Sequence, residues 1–313
     1  MNLKHSLVIL LIFLVGCTSR EESPTVDMGE LPVNEMEFQK MVMAQLTGEK
    51  PIITSTGEKL HLPSRWEESE RKIVRGYLAA LFEKLELPVY QHQYEMPNPN
   101  FGIDLLLEPL KGTNMYTILP ATNDSNEYIV VGAHYDTDGN NFPGAIDNGS
   151  GVTLISTLLR RVKKLKVRNK SLLVVYFDQE EENISAGSIA FARFLKTQNY
   201  RVHSVHSYDL IGWDGDNNRE IQLEQPSAEI ENVYRRHADS LNIPMFVFNA
   251  ESSDYYSFVK EGINAVGISQ AYAKGDVSGK KDSPEDKYHL VNFEFLASST
   301  NLAFEVIKDL LND

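Results

Sequence analysis

Two continuous apolar runs constrain this chain most: Tyr128-Ile-Val-Val-Gly-Ala133 and Leu172-Leu-Val-Val-Tyr-Phe177. A strand with one wet face alternates apolar and polar residues, and neither run does. Both therefore suit strands buried on both faces of a mostly parallel sheet. Helical spacing flanks them. Met36, Phe38, Met41, Met43 and Leu46 predict a helix over Glu35–Leu46. A longer amphipathic helix is expected from Ser64 or Trp66 to Leu85, with Ile73, Tyr77, Leu78, Leu81 and Leu85 inward. Ser64 suits its N-cap, and Pro88 lies just past its end. Further helices are predicted at Val152–Leu165, Ser188–Leu195, Asp254–Glu261 and Phe293–Leu311, with strands near Val205–Leu210, Met245–Phe248 and Ala265–Ile268. Such alternation implies one α/β domain over residues 33–313, a mostly parallel twisted sheet with helices on both faces.

The N-terminus reads differently. Lys4 precedes an apolar run, Ser6 to Gly16, that is shorter than the roughly 20 residues a bilayer-spanning helix needs. A basic start and a short apolar core are the marks of an export signal over 1–16. Leu14-Val15-Gly16-Cys17 resembles the lipobox of bacterial lipoproteins, and Cys17 is the sole cysteine of the chain. That resemblance implies lipidation at Cys17, a membrane partner through the lipid anchor, and a cell-envelope location on the periplasmic or extracellular face. Polar, aperiodic residues 17–32 read as a flexible tether. With Cys17 used, no thiol remains for a disulfide, a nucleophile or a metal site. The net charge of −14 becomes −15 once Lys4 leaves with residues 1–16, and a surface of that sign does not attract nucleic acid.

In open α/β sheets, sites form beyond the carboxyl ends of the strands. His134-Tyr-Asp136 and then Pro143-Gly-Ala-Ile-Asp147-Asn-Gly-Ser-Gly151 follow the first run. Asp178-Gln-Glu180-Glu181-Glu182 follows the second, and Tyr208-Asp209-Leu-Ile-Gly212 ends a third strand. Any one of these loops would pass as solvated surface, but three together bring a histidine and carboxylates to one edge. Zinc takes about four nitrogen and oxygen ligands. A pair of zinc ions needs a shared carboxylate, and a hydrolase also needs a carboxylate free to move protons.

Gly132-Ala-His-Tyr-Asp-Thr137, Pro143–Gly151, Phe177-Asp-Gln-Glu-Glu181 and Asp209-Leu-Ile-Gly212, in this order, resemble the signature blocks of the family-28 metallopeptidases. That family comprises co-catalytic zinc aminopeptidases and, as a side branch, glutaminyl cyclases. Ser253-Asp254 with Phe258 and Gly262-Ile263 resembles a later block, with Tyr255 where a histidine is usual. The similarity runs from about residue 70 to the C-terminus. It implies a zinc-exopeptidase-like fold and hydrolysis of peptides with a free N-terminus. By the same likeness His134, Asp147, Glu181 and Asp209 bind metal, Asp147 bridges two ions, Asp136 orients His134, and Glu180 is the general base. Counting back from Gly187-Ser188 would give Glu181/Glu182 instead, but the strand sets the Glu180/Glu181 register.

One block departs from the family. Its His-Thr-Pro-x-Asp is here Asp282-Ser-Pro-Glu-Asp286. Asp282 is the expected last ligand, with His289 as the alternative if the loop folds back. A third possibility is one zinc ion instead of two. An oxygen-richer shell also favours harder ions such as Mn²⁺. Of the other histidines, His61, His92 and His237 read as surface residues, and His203 and His206 carry no role. Trp213 and Tyr255 suit a substrate pocket or the core equally. Besides aminopeptidase activity, the residues leave open a glutaminyl cyclase and an inactive lipid-anchored binding protein.

Overall fold

The computed structural model describes residues 23–97, 109–181 and 185–313. The residues expected to form an export signal, with Cys17, lie outside the described residues, as does Glu182. No helix among the described residues is long and apolar enough to cross a membrane.

Along the chain come α1 (Glu35–Leu46), β1 (Ile52–Ile53), β2 (Lys59–Leu60), α2 (Glu68–Lys84), β3 (Tyr90–Met96), β4 (Leu110–Leu119) and β5 (Glu127–His134). Then follow α3 (Ser150–Val162), β6 (Ser171–Phe177), α4 (Ala186–Thr197), β7 (Arg201–Tyr208), β8 (Ile221–Glu224) and α5 (Ala228–Leu241). The last are β9 (Met245–Phe248), α6 (Ser253–Lys260), β10 (Ala265–Gln270) and α7 (Phe293–Asn312). β1 and β2 form a small hairpin, and the other eight strands form one sheet in the order β3-β4-β6-β5-β7-β10-β8-β9.

The two apolar runs are β5 and β6, paired in parallel at the heart of the sheet. Their successive residues go to opposite sides. Ile129, Val131, Leu172 and Val174 join the core that also holds α1, α2, α3 and α7. Val130, Leu173, Val175 and Phe177 join the core under α4 and α6. Burial on both faces is why neither run alternates, and each such side chain contributes roughly 1.5–3 kcal/mol.

β7 and β10 extend the parallel centre, whereas β3, β4 and β8 run antiparallel to their inner neighbours. The sheet is therefore mixed: its centre and the β8–β9 pair are parallel, as expected, and the antiparallel pairs are β3–β4, β4–β6 and β8–β10. β3 and β8 were hidden because β3 (Tyr-Gln-His-Gln-Tyr-Glu-Met) is polar and β8 has four residues.

Two local expectations need correction. α2 is capped by Glu67 and Glu70 in a reciprocal capping box, not by Ser64, whose hydroxyl instead donates to Glu70 (2.6 Å). The tether expected over 17–32 is docked within its second half. Val26 is buried and bridges to Thr54, Asp27 N–H donates to Ile53 O (2.8 Å), and Ser55 N–H to Thr25 O (2.9 Å). One apolar residue in a polar stretch leaves no periodic signal, and here the backbone does the docking.

Register now places the site. His134 pairs with Phe177 across β5–β6, Gly132 with Ser207 across β5–β7, and Ile268 with Tyr208 across β7–β10. The carboxyl ends of β5, β6 and β7 are thus level, and the residues beyond them emerge at one edge.

Candidate metal centre

Three polar atoms converge at that edge. His134 Nε2 lies 3.2 Å from Asp147 Oδ1 and 3.5 Å from Asp209 Oδ1. None of the three is hydrogen-bonded to a partner, although all are buried. Ligands around a tetrahedral zinc with bonds of 2.0–2.1 Å stand about 3.3 Å apart, so the spacing fits lone pairs aimed at one ion. Glu181 Oε1 is likewise buried and unbonded. Asp147 belongs to a second donor set as well, with Glu181 and Asp282, whose oxygens lie within 4.8 Å of one another.

The chain shapes this arrangement closely. Asp147 sits in an irregular turn over Ala145–Gly149, entered through Gly144 at φ +58°, where a side chain would also meet Thr137 and Arg65. The Asp147–Asn148 peptide is cis. Asn148 donates to Tyr208 O (2.9 Å) and accepts from Gly151 N–H (2.9 Å), which ties the turn to the end of β7. A Cβ on Gly151 would come within 2.4 Å of both Asn148 Oδ1 and Tyr208 O, so the glycine is obligatory there.

Asp136 does more than was expected of it. Its Oδ1 is 3.4 Å from His134 Nδ1, and the two oxygens also accept the backbone N–H groups of Glu180 (3.0 Å) and Glu181 (3.1 Å). One carboxylate thereby fixes the histidine of β5 and the acidic pair of β6. Gln179, Leu210 and Asp282, beside or within the acidic positions, have φ of +57°, +51° and +52°. Non-glycine residues rarely adopt such values, and they gather at functional sites.

Electrostatics show what the cluster lacks. Burial raises Glu180 well above the carboxylate range, helped by Asp254 and Asp209 and opposed by His134. Glu181 is raised by burial and by Asp147, and Asp254 is pushed up to about 7 mainly by burial. Burial would lower the His134 imidazole, but Asp136, Asp147 and Asp209 raise it well above its ordinary value. Acids held this high by burial and mutual repulsion mark a pocket short of positive charge, which a divalent cation would supply.

Three contributors escaped the sequence reading. Asp254 is buried beside the cluster with neither oxygen hydrogen-bonded. Asp286 accepts the N–H groups of Ile146 (2.9 Å) and Asp147 (3.0 Å) and so sets the turn that carries Asp147. Arg65, wholly buried, donates to the carbonyls of Tyr135 (2.7 Å), Leu46 (2.9 Å), Pro143 (2.5 Å) and Gly144 (2.8 Å). Asp254 and Asp286 both lay inside recognised blocks, but nothing in the sequence marked Arg65.

Other expectations resolve plainly. Asp282 reaches the cluster, with the Lys281 ammonium between it and Asp147. His289 is exposed on the turn Tyr288–Leu290 and belongs to no donor set among the described residues. Tyr255 is core, packed with Phe258 and Val205. Trp213 donates to Asp276 (3.1 Å). His92 is half-buried rather than fully exposed: it packs on Phe191 and Phe194, and burial lowers it to about 4. His206 is buried between Ser204 and Tyr234.

The model of peptidase family M28 matches residues 114–304, which hold every candidate site residue from His134 to Asp282. The chain belongs to that family. It is similar to Aminopeptidase Y of Saccharomyces cerevisiae, 26% identical over 193 residues, which are 58% of this chain and 34% of that one. It thus spans about a third of the length of that curated relative. In fold it resembles a zinc aminopeptidase from Bacillus subtilis, with a TM-score of 0.74, 15% identity, and coverage of 91% of this chain and 97% of that one. It also resembles a glutaminyl cyclase from Porphyromonas gingivalis, with a TM-score of 0.71, 15% identity, and coverage of 88% and 98%. The α/β domain of this M28 chain is thus built as in those enzymes.

Proposed function

We propose that this M28 chain is a zinc-dependent aminopeptidase, with His134, Asp147 and Asp209 as metal ligands and Glu180 as general base. The observation that carries the reading is the convergence of three buried, unbonded donor atoms at zinc spacing beside an acid that burial holds high. Three protein ligands from His and carboxylate side chains, with a fourth position left for water or substrate, suit a catalytic zinc site. Zinc bound there would polarise a scissile carbonyl and an attacking water.

The protein's own groups do the rest. Glu180 takes the proton of the attacking water and returns it to the leaving amine, a role for which a raised carboxyl pKa is suited. Asp136 holds Glu180 in place through its backbone N–H, and Ser185 Oγ steadies the Glu180 carboxylate (3.2 Å). Ser253 Oγ donates to Asp209 Oδ2 (3.0 Å), which leaves Oδ1 free for the metal. The acidic surroundings, Glu181 and Asp254 among them, favour a substrate that presents a positive α-amino group.

The test is mass spectrometry of a pool of unblocked peptides, some beginning with Gln, incubated with the protein and zinc. Stepwise loss of N-terminal residues is expected. Loss of ammonia from the Gln peptides alone would instead identify a cyclase. A pool unchanged with Zn²⁺, Mn²⁺ and Co²⁺ would refute the enzymatic reading.

Anchoring is proposed on sequence alone, from Lys4, the short apolar run and the Leu14-Val-Gly-Cys17 box. A lipid-linked Cys17 would hold the domain at the cell envelope. Cys17→Ala is expected to move the chain from the membrane to the soluble fraction, and an unchanged distribution would count against the anchor.

A further inference from the structure

Asp147 divides its two oxygens. Oδ1 faces His134 Nε2 and is unbonded, whereas Oδ2 accepts from the Lys281 ammonium at 2.6 Å. The same ammonium lies 2.9 and 2.7 Å from the two oxygens of Asp282. Of the three carboxylates that make up the second donor set, two are thus already engaged by one fixed cation.

We propose that Lys281 is the second cation of this site, standing between Asp147 and Asp282, so that the chain binds a single divalent ion at His134, Asp147 and Asp209. The inference rests on the metal-site reading above and deepens it.

The loop is built to deliver this lysine. Lys281 N–H donates to Ser278 O (3.3 Å), and Asp282 follows at φ +52°. Asp286, four residues on, is tied to the turn of Asp147 through Ile146 and Asp147 N–H, while its carbonyl accepts from Ala145 N–H (3.2 Å). The loop bearing Lys281 and the turn bearing Asp147 are therefore joined at a second point, and the lysine side chain is only 23% exposed. A zinc ion sharing Asp147 Oδ2 and Asp282 would stand against the ammonium, and like charges at such a distance repel strongly in a buried site.

The family departure at position 282 follows from the same pairing. A neutral histidine there would leave the ammonium to Asp147 alone of these two carboxylates, whereas an aspartate supplies a second anionic partner. Lys281 and Asp282 act as one unit: the carboxylate holds the cation, and the cation neutralises the outer oxygen of Asp147. Lys281 is then a positioning residue that keeps Asp147 oriented towards the remaining ion.

Zinc content of the full-length chain, measured by elemental mass spectrometry after exhaustive dialysis, tests the proposal. Zinc-edge anomalous diffraction locates each ion. The expected result is one ion per chain, seated among His134, Asp147 and Asp209. Lys281→Met frees Asp147, Glu181 and Asp282 and should raise the content to two. Lys281→Arg keeps the charge and should leave it at one, and its melting curve provides a folding control. Two ions in the unaltered chain would overturn the role of Lys281 while leaving the aminopeptidase reading intact. A content that stays at one in well-folded Lys281→Met would overturn it as well. No zinc in the unaltered chain would refute both readings.

Discussion

Replacing Arg65 by Met probes how the fold holds the site. The guanidinium donates to four backbone carbonyls from three separate segments: Leu46 at the end of α1, Tyr135 after β5, and Pro143 and Gly144 before Asp147. Burial lowers its pKa to about 10, against the pull of Asp286, Asp136 and Asp147, so it stays charged at neutral pH. Hydrogen bonds from a charged donor are worth about 1.5–3 kcal/mol each. Four of them are offset by the several kcal/mol needed to bury the cation. Met fills the space but leaves the carbonyls unpaired, and the expected net loss is about 3–5 kcal/mol. With a urea slope of about 3 kcal/mol/M for a domain of this size, the midpoint should fall by roughly 1–2 M. Urea titrations followed by tryptophan fluorescence and far-UV circular dichroism measure this. Zinc affinity should fall about 10–100-fold as well, because the turn before Asp147 loses its tie. Arg65→Lys should lie in between, since one ammonium cannot reach all four acceptors in the planar geometry of the guanidinium. A midpoint within about 0.3 M of the parent at an unchanged slope would refute the reasoning, since the carbonyls would then be satisfied another way.

Glu180→Gln keeps shape and hydrogen bonding but cannot accept a proton. Turnover should fall about 10²–10⁴-fold with zinc content unchanged, and a variant retaining most of its turnover would rule out Glu180 as the base. Asp286→Asn loses the charge that accepts Ile146 and Asp147 N–H, so calorimetry should find zinc binding about 10–100-fold weaker. His206 gives a pH prediction: burial and the nearby His203 lower it to about 3 in the fold, against about 6.5 unfolded. The unfolded chain takes up its proton first, so stability is lost as pH falls from about 6.5 towards 3, at up to about 1.4 kcal/mol per pH unit. Urea midpoints at pH 7 and pH 5 should therefore converge in His206→Gln relative to the parent. An identical pH slope in both would show that His206 does not carry the effect.

What the sequence revealed and what it hid divide along physical lines. β5 and β6 were legible because burial on both faces leaves no room for alternation, and that same burial fixes the register that sets His134 level with Phe177. α1 matched its predicted bounds, since Asn34 caps it by accepting Glu37 N–H and the apolar spacing spans the whole helix. α5 was missed although Ile230, Val233, Tyr234 and Ala238 line one buried face. Its ten remaining residues are mostly charged or polar, and they thin the apolar signal. At the site, residues that act by side-chain chemistry were recognisable from their type and position, whereas those that act through backbone geometry were not. Arg65 is the clearest case, because its four partners are carbonyls, and every residue has one. Lys281 stood next to a position already marked as unusual, yet only distances to both Asp147 and Asp282 connect the two facts. A lysine beside an aspartate is ordinary in sequence. It becomes informative once a second carboxylate, 134 residues away, is found to share the same ammonium.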